Sequence, residues 1–125
     1  MIYNKMLNEY EKNWLEKMLS YPLKRKDEIV AQINQASIVR EYTGYYLSVK
    51  FMEIPPIIDC LESTGVILEM RAYFKKEVPI QFLLHFKRGS VSELEIFKAD
   101  SSKIQSNINL NGAQIETIVD PRWRK

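Results

Sequence analysis

Pro79-Ile80-Gln81-Phe82-Leu83-Leu84-His85-Phe86-Lys87-Arg88-Gly89-Ser90-Val91-Ser92-Glu93-Leu94-Glu95-Ile96-Phe97 reads as two strands and the turn between them. Ile80, Phe82, Leu84 and Phe86 alternate with Gln81, Leu83 and His85; beyond the turn Leu94 and Ile96 alternate with Glu93 and Glu95. A period of two sends successive side chains to opposite faces of a pleated sheet, so this hairpin has one apolar and one polar face. A three-residue loop with Gly89 in the left-handed conformation pairs Phe82 with Leu94, Ile80 with Ile96 and Gln81 with Glu95. A two-residue loop sets Phe82 against Glu95. Like faces like in the first register, which is the one expected. It puts His85 on one face with Leu83, Val91, Glu93 and Glu95, and sets Glu93 diagonally across from it.

Working outward, Val66, Leu68, Met70, Ala72 and Phe74 alternate with Ile67, Glu69, Arg71 and Tyr73, which predicts a strand over 66–74 that turns at 75–78. Residues 37–41 and 45–51 are rich in β-branched and aromatic side chains and flank Tyr42-Thr43-Gly44, a second hairpin. A three-residue loop ending in Gly44 pairs Val39 with Leu47 and is the expected register. Asn111-Gly112, a strong hairpin signal, lies between 108–110 and 113–118 and predicts a last hairpin that pairs Ile108 with Ile115 and Ile104 with Val119. The tail 121–125 is expected to fray.

The N-terminal third has helical period. From a cap at Asn4, the residues Leu7, Tyr10, Trp14 and Met18 form a stripe with Leu15 beside it, ending near Ser20 because Pro22 disfavours helix before it. Residues 26–36 carry Asp27 and Glu28 early, where acids suit the helix dipole, then Ile29, Ile33 and Ala36 on one side. The expected fold is therefore α+β: two N-terminal helices packed on a mainly antiparallel sheet built from consecutive hairpins, in one domain spanning residues 1–125.

Composition bounds the function. The 125 residues are 46% hydrophobic and 27% charged, with 18 Lys and Arg against 16 Asp and Glu, which excludes disordered and low-complexity classes. Cys60 is the one cysteine, so no internal disulfide forms, and charges at Lys5, Glu9, Glu11, Lys12, Glu16 and Lys17 break any leader or span in the first twenty residues. A cytoplasmic location is expected, with no membrane partner. The residues alone point to a soluble domain and not to an activity.

His85 is the only histidine, which restricts imidazole chemistry to one place. A pair with Glu93 would orient a base, but spacing supplies no nucleophile, and a thiol–imidazole dyad with Cys60 sits in no nucleophile signature. No catalytic residue is assigned. The four glycines are each explained by a turn, and the sequence carries neither a phosphate loop nor a metal-ligand spacing, so no cofactor and no metal are expected. Basic clusters at Lys24-Arg25-Lys26, Lys75-Lys76, Lys87-Arg88 and Arg122, Arg124, Lys125 lack a recognition helix, and a pI of about 8.6 falls short of a nucleic-acid footprint. Between residues 52 and 69 there are four carboxylates, Glu53, Asp59, Glu62 and Glu69, and no basic residue.

The run Leu83-Leu84-His85-Phe86-Lys87-Arg88-Gly89-Ser90-Val91-Ser92-Glu93-Leu94-Glu95-Ile96-Phe97-Lys98-Ala99-Asp100 resembles a family of small bacterial domains of unknown function marked by a Leu-Leu-His strand, a glycine turn and a Glu-Leu-Glu-Ile strand. Tyr21-Pro22-Leu23-Lys24-Arg25-Lys26-Asp27-Glu28-Ile29-Val30-Ala31-Gln32-Ile33 is similar to that family's short helix after a proline, although Lys24 to Lys26 depart from its usual Pro-Gly-Arg. By analogy the resemblance implies an immunity protein of a polymorphic toxin system. The expectation is a non-catalytic cytosolic protein that neutralises a toxin domain, such as a nuclease, by direct binding through Glu53, Asp59, Glu62, Glu69, His85, Glu93 and Glu95. The alternatives are a nucleic-acid-associated protein using the Lys/Arg turns, or a small enzyme using His85.

Overall fold

The computed structural model describes residues 6–125. Helices α1 (Glu9–Met18) and α2 (Lys26–Gln35) precede strands β1 (Ser37–Tyr42), β2 (Tyr46–Met52), β3 (Thr64–Tyr73), β4 (Ile80–Lys87), β5 (Ser90–Lys98) and β6 (Gln114–Val119), with 3-10 turns at Ile58–Cys60 and Pro121–Trp123. The six strands form one antiparallel sheet in the order β1-β2-β5-β4-β3-β6, so the architecture is α+β as expected. α2 packs on β5 and α1 on β3, and the core lies between helices and sheet. No helix among the described residues is long and apolar enough to cross a membrane.

The expected cap at Asn4 lies outside the described residues; Asn8 caps α1. Its side chain accepts from the Glu11 amide and the Glu11 carboxylate accepts from the Asn8 amide, both at 2.9 Å, a reciprocal box. Glu11 is buried and is bridged by the Arg40 guanidinium from β1, and it takes the core-facing place expected for Tyr10, which is exposed. Trp14 stacks obliquely on Phe82 at 5.6 Å and its indole N–H donates to the Ile108 carbonyl at 2.7 Å.

Three sequence expectations about strand pairing are corrected. In the first hairpin Tyr42 pairs with Leu47 and Val39 with Lys50, not Val39 with Leu47. The tip is Gly44-Tyr45 with a positive φ only at Gly44, the pattern of a glycine-first two-residue turn. This shift exchanges the two faces of β1. Arg40 points to the core side because buried Glu11 awaits it there, a partner that alternation cannot reveal.

In the β4–β5 hairpin the tip is two residues, Arg88 and Gly89, both with positive φ, and not a three-residue loop. Phe86 pairs with Val91 beside the turn, then a bulge shifts the register so that His85 pairs with Glu93, Leu84 with Leu94 and Phe82 with Ile96. The bulge keeps apolar against apolar despite the short turn, and it moves Val91 to the core face, away from His85.

No strand forms before Asn111-Gly112, although the turn itself does, with the Ala113 amide on the Leu110 carbonyl at 3.1 Å. Residues 101–113 cross the end of the sheet in irregular conformation and bury Ile104, Ile108 and Leu110. Their backbone bonds go to Gly44, Tyr42 and Trp14 in place of a ladder. β6 pairs instead with β3. The tail expected to fray is docked: Trp123 is buried edge-on against Phe86 at 4.8 Å, its carbonyl accepts from the Lys24 amide at 2.8 Å, and Arg124 bridges to Leu23.

Candidate functional site

Both helices lie on one side of the sheet, and among the described residues no helix covers the other, here called the open face. Register places the open-face side chains in rows. Val39, Lys50, Glu93, His85 and Val66 form one row across β1-β2-β5-β4-β3; Glu41, Ser48, Glu95, Leu83, Glu69 and Ile118 form the next and reach β6. Tyr46, Phe97, Gln81, Arg71 and Glu116 follow in a third row.

Hydrogen bonds link the polar side chains of these rows other than Glu41 and Lys50. Ser48 and Tyr46 hydroxyls both donate to Glu93 Oε2, the latter at 2.8 Å. His85 Nε2 and Glu95 Oε1 are 2.9 Å apart. Arg71 donates to Glu69 at 2.6 Å and to Glu116 at 3.4 Å, and Gln81 and Tyr73 add bonds to the same two carboxylates. Burial pushes the Glu93 carboxyl up, but the bonds from Ser48 and Tyr46, with His85 and Lys50 nearby, outweigh it and hold the group below its ordinary value. Burial, with the bond to Glu93 second, pushes the Tyr46 phenol up to about 12, so it stays a donor at neutral pH.

The sequence-predicted residues therefore divide. Glu69, His85, Glu93 and Glu95 converge on the open face, and His85 bonds Glu95 on the diagonal while Glu93 stands directly opposite, whereas the expected register put Val91 opposite and Glu93 on the diagonal. Glu53, Asp59 and Glu62 lie apart, exposed on the connection between β2 and β3, where Asp59 is paired with Arg25 at 3.0 Å. Sequence reasoning missed Glu41, Tyr46, Ser48 and Lys50. Alternation in β2 puts Tyr46, Ser48 and Lys50 on one face, but only the β2–β5 pairing brings them to Glu93 and Glu95.

Ser48, on the same face as the imidazole, is 2% exposed, its hydroxyl and that of Tyr46 both donate to Glu93, and Cys60 sits in the 3-10 turn of the β2–β3 connection. Among the described residues no three His, Cys, Asp or Glu are grouped to hold a metal ion. The connection carrying Cys60 is rigidly held. Gln32 of α2 donates to the Pro55 and Gly89 carbonyls at 3.1 and 2.9 Å and accepts from the Val91 amide at 3.1 Å, while the Ile57 amide donates to the Gly89 carbonyl at 2.7 Å.

Of the basic clusters, Lys24, Arg25 and Lys26 join Lys125 around a cleft of about 760 Å³ at the start of α2. Asp27 and Glu28 line the same cleft, and Arg25 is held by Glu28 and Asp59 at 3.0 Å each. No protein-family model, curated protein or solved structure matches the chain.

Proposed function

We propose that this chain is a non-catalytic binding protein that holds a protein partner against the open face of its sheet. The observation that carries this reading is a face of a six-stranded sheet that no helix covers among the described residues, with most of its polar side chains fixed by mutual hydrogen bonds. A surface fixed in advance loses little conformational freedom on association. Glu41, Glu69, Glu93, Glu95 and Glu116 outnumber Lys50, Arg71 and Lys87 on it, which favours encounter with a basic partner. Leu83, Val66 and Phe97 supply apolar contact between the charges. In the immunity form of this reading, the partner is a basic toxin domain in the cytoplasm, and binding blocks its active surface.

The test is purification of the tagged chain from its own cells with and without added nuclease, followed by identification of the bound protein and titration with purified components. A stoichiometric protein that survives nuclease, and whose affinity drops at least tenfold for the Glu41→Lys, Glu95→Lys double variant, is the expected result. Equal affinity for the variant refutes the placement on this face. Nucleic acid that leaves with nuclease treatment, with no protein retained, refutes the protein-binding reading.

A further inference from the structure

The two edges of the sheet are unlike. At the β1 edge Ser37, Ile38 and Val39 are buried, and Arg40 and Glu41 follow them. At the β6 edge Gln114, Ile115, Glu116 and Ile118 are exposed and only Val119 is buried. β6 contains no Pro and no Lys, and its register with β3 runs without a bulge from Leu68–Val119 to Tyr73–Gln114. Its one charge, Glu116, is turned back onto Arg71 and Tyr73. Edge strands of natural proteins carry such guards because their outward N–H and C=O groups pair with any extended strand that reaches them. β6 lacks them over 114–118, the Val119 carbonyl at its end being held by Arg124 Nε at 3.2 Å, and leaves Ile115 and Ile118, 37% and 38% exposed, on opposite faces of that edge.

We propose that the chain self-associates through β6, two copies pairing antiparallel about a two-fold axis normal to the sheet to give one continuous twelve-stranded sheet. Such an axis keeps every residue on its own face, so the central residue is Glu116 or Thr117. An axis at Glu116 sets two carboxylates directly opposite each other, which is unfavourable. An axis at Thr117 sets Thr117 against its own copy and Ile115 against Val119 of the second copy, extending the helix-side apolar layer across the junction. It also lays Ile118 over the aliphatic stem of Glu116 of the second copy. Six residues of edge span about 20 Å, a contact smaller than a standard stable interface, so the dimer is weak and forms in the micromolar range. It lengthens the open face without covering it, and so stands independently of the partner proposed above.

The experiment is sedimentation equilibrium of the full chain from about 5 to about 300 μM, with backbone amide exchange followed at both ends of that range. The expected result is a mass rising from 14.8 kDa toward twice that value, slower exchange at 114–119 in the concentrated sample, and a dissociation constant at least tenfold weaker in Ile118→Lys with an unchanged circular dichroism spectrum. The wild-type exchange comparison decides the matter even where that variant fails to fold. A monomer at every concentration overturns the proposal, as does a dimer whose exchange at 114–119 is independent of concentration, or one that the folded variant leaves intact. A monomer whose β6 amides slow only with a bound protein would give the edge to that protein.

Discussion

Replacing Gln32 with leucine keeps the volume and removes three hydrogen bonds from the junction of α2, the β2–β3 connection and the β4–β5 tip. The three groups released are not equivalent. The Gly89 carbonyl keeps the Ile57 amide, and the Pro55 carbonyl belongs to an exposed residue that water reaches. The Val91 amide, on a residue 1% exposed and beside the bulge, is left with no acceptor. A stranded buried donor costs about 1–3 kcal/mol, and each bond lost from a group that finds another partner about 0.5 kcal/mol, so the total is about 2–4 kcal/mol. With an unfolding entropy of about 2.1 cal/mol/K per residue, 1 kcal/mol corresponds to about 4 °C in a chain of this length. The Tm of Gln32→Leu should therefore fall by about 8–16 °C. Urea unfolding followed by the fluorescence of Trp14 and Trp123 measures the same loss, with an unchanged m value showing that the folded state is otherwise intact. A loss below about 1 kcal/mol would refute the assignment of Val91 as a stranded donor. Gln32→Glu adds a second check, because one introduced oxygen accepts from Val91 while the other faces two carbonyls. The neutral form is then favoured in the folded state and its pKa is raised there. The variant should be nearest to wild type below the ordinary carboxyl pKa and lose stability as pH rises through the raised one.

Arg40→Met leaves the Glu11 carboxylate buried without its cation and should cost about 3 kcal/mol in urea unfolding, a removal that Glu11→Gln in the same background partly rescues. The Glu93 pKa is depressed in the folded state, so its contribution to stability is present above the unfolded-state value and is lost as pH falls through the folded one. Ser48→Ala removes one donor to this carboxylate, and an NMR titration should find the Glu93 pKa moved up from its wild-type position. Trp123→Ala uncovers Phe86 and loosens the Leu23–Arg124 bridge, and should cost about 3–4 kcal/mol by chemical denaturation; wild-type stability in that variant would mean the tail carries no packing energy.

What the sequence made legible was local. Alternation over 80–86 and 94–96 located the central strands and their faces, and helical spacing around Trp14, Ile29 and Ile33 located both helices. Register was harder, because the bulge after the Arg88-Gly89 tip and the turn of Arg40 toward Glu11 depend on partners far along the chain. The last hairpin failed for a similar reason. Asn111-Gly112 does turn the chain, but Ile104, Ile108 and Leu110 gain more by entering the core than by pairing with β6, and β3 offers β6 a complete ladder. At the candidate site, the face of His85, Glu93 and Glu95 followed from periodicity. The neighbours that hold Glu93, Tyr46 and Ser48, followed only from the placement of β2 beside β5, which no local pattern encodes.

The strand order also sets a timetable for synthesis. The β3-β4-β5 meander is complete once residue 98 has emerged, and β2 can join β5 at once, but β3 waits for β6, whose last residue follows Tyr73 by 46 positions. At about 5–20 residues per second, that interval is roughly 2–9 s. For those seconds the nascent chain presents Leu68, Met70 and Ala72 on a bare strand edge at the ribosome exit. Production of this protein should therefore be more sensitive to translation rate and to chaperone supply than its finished stability would imply.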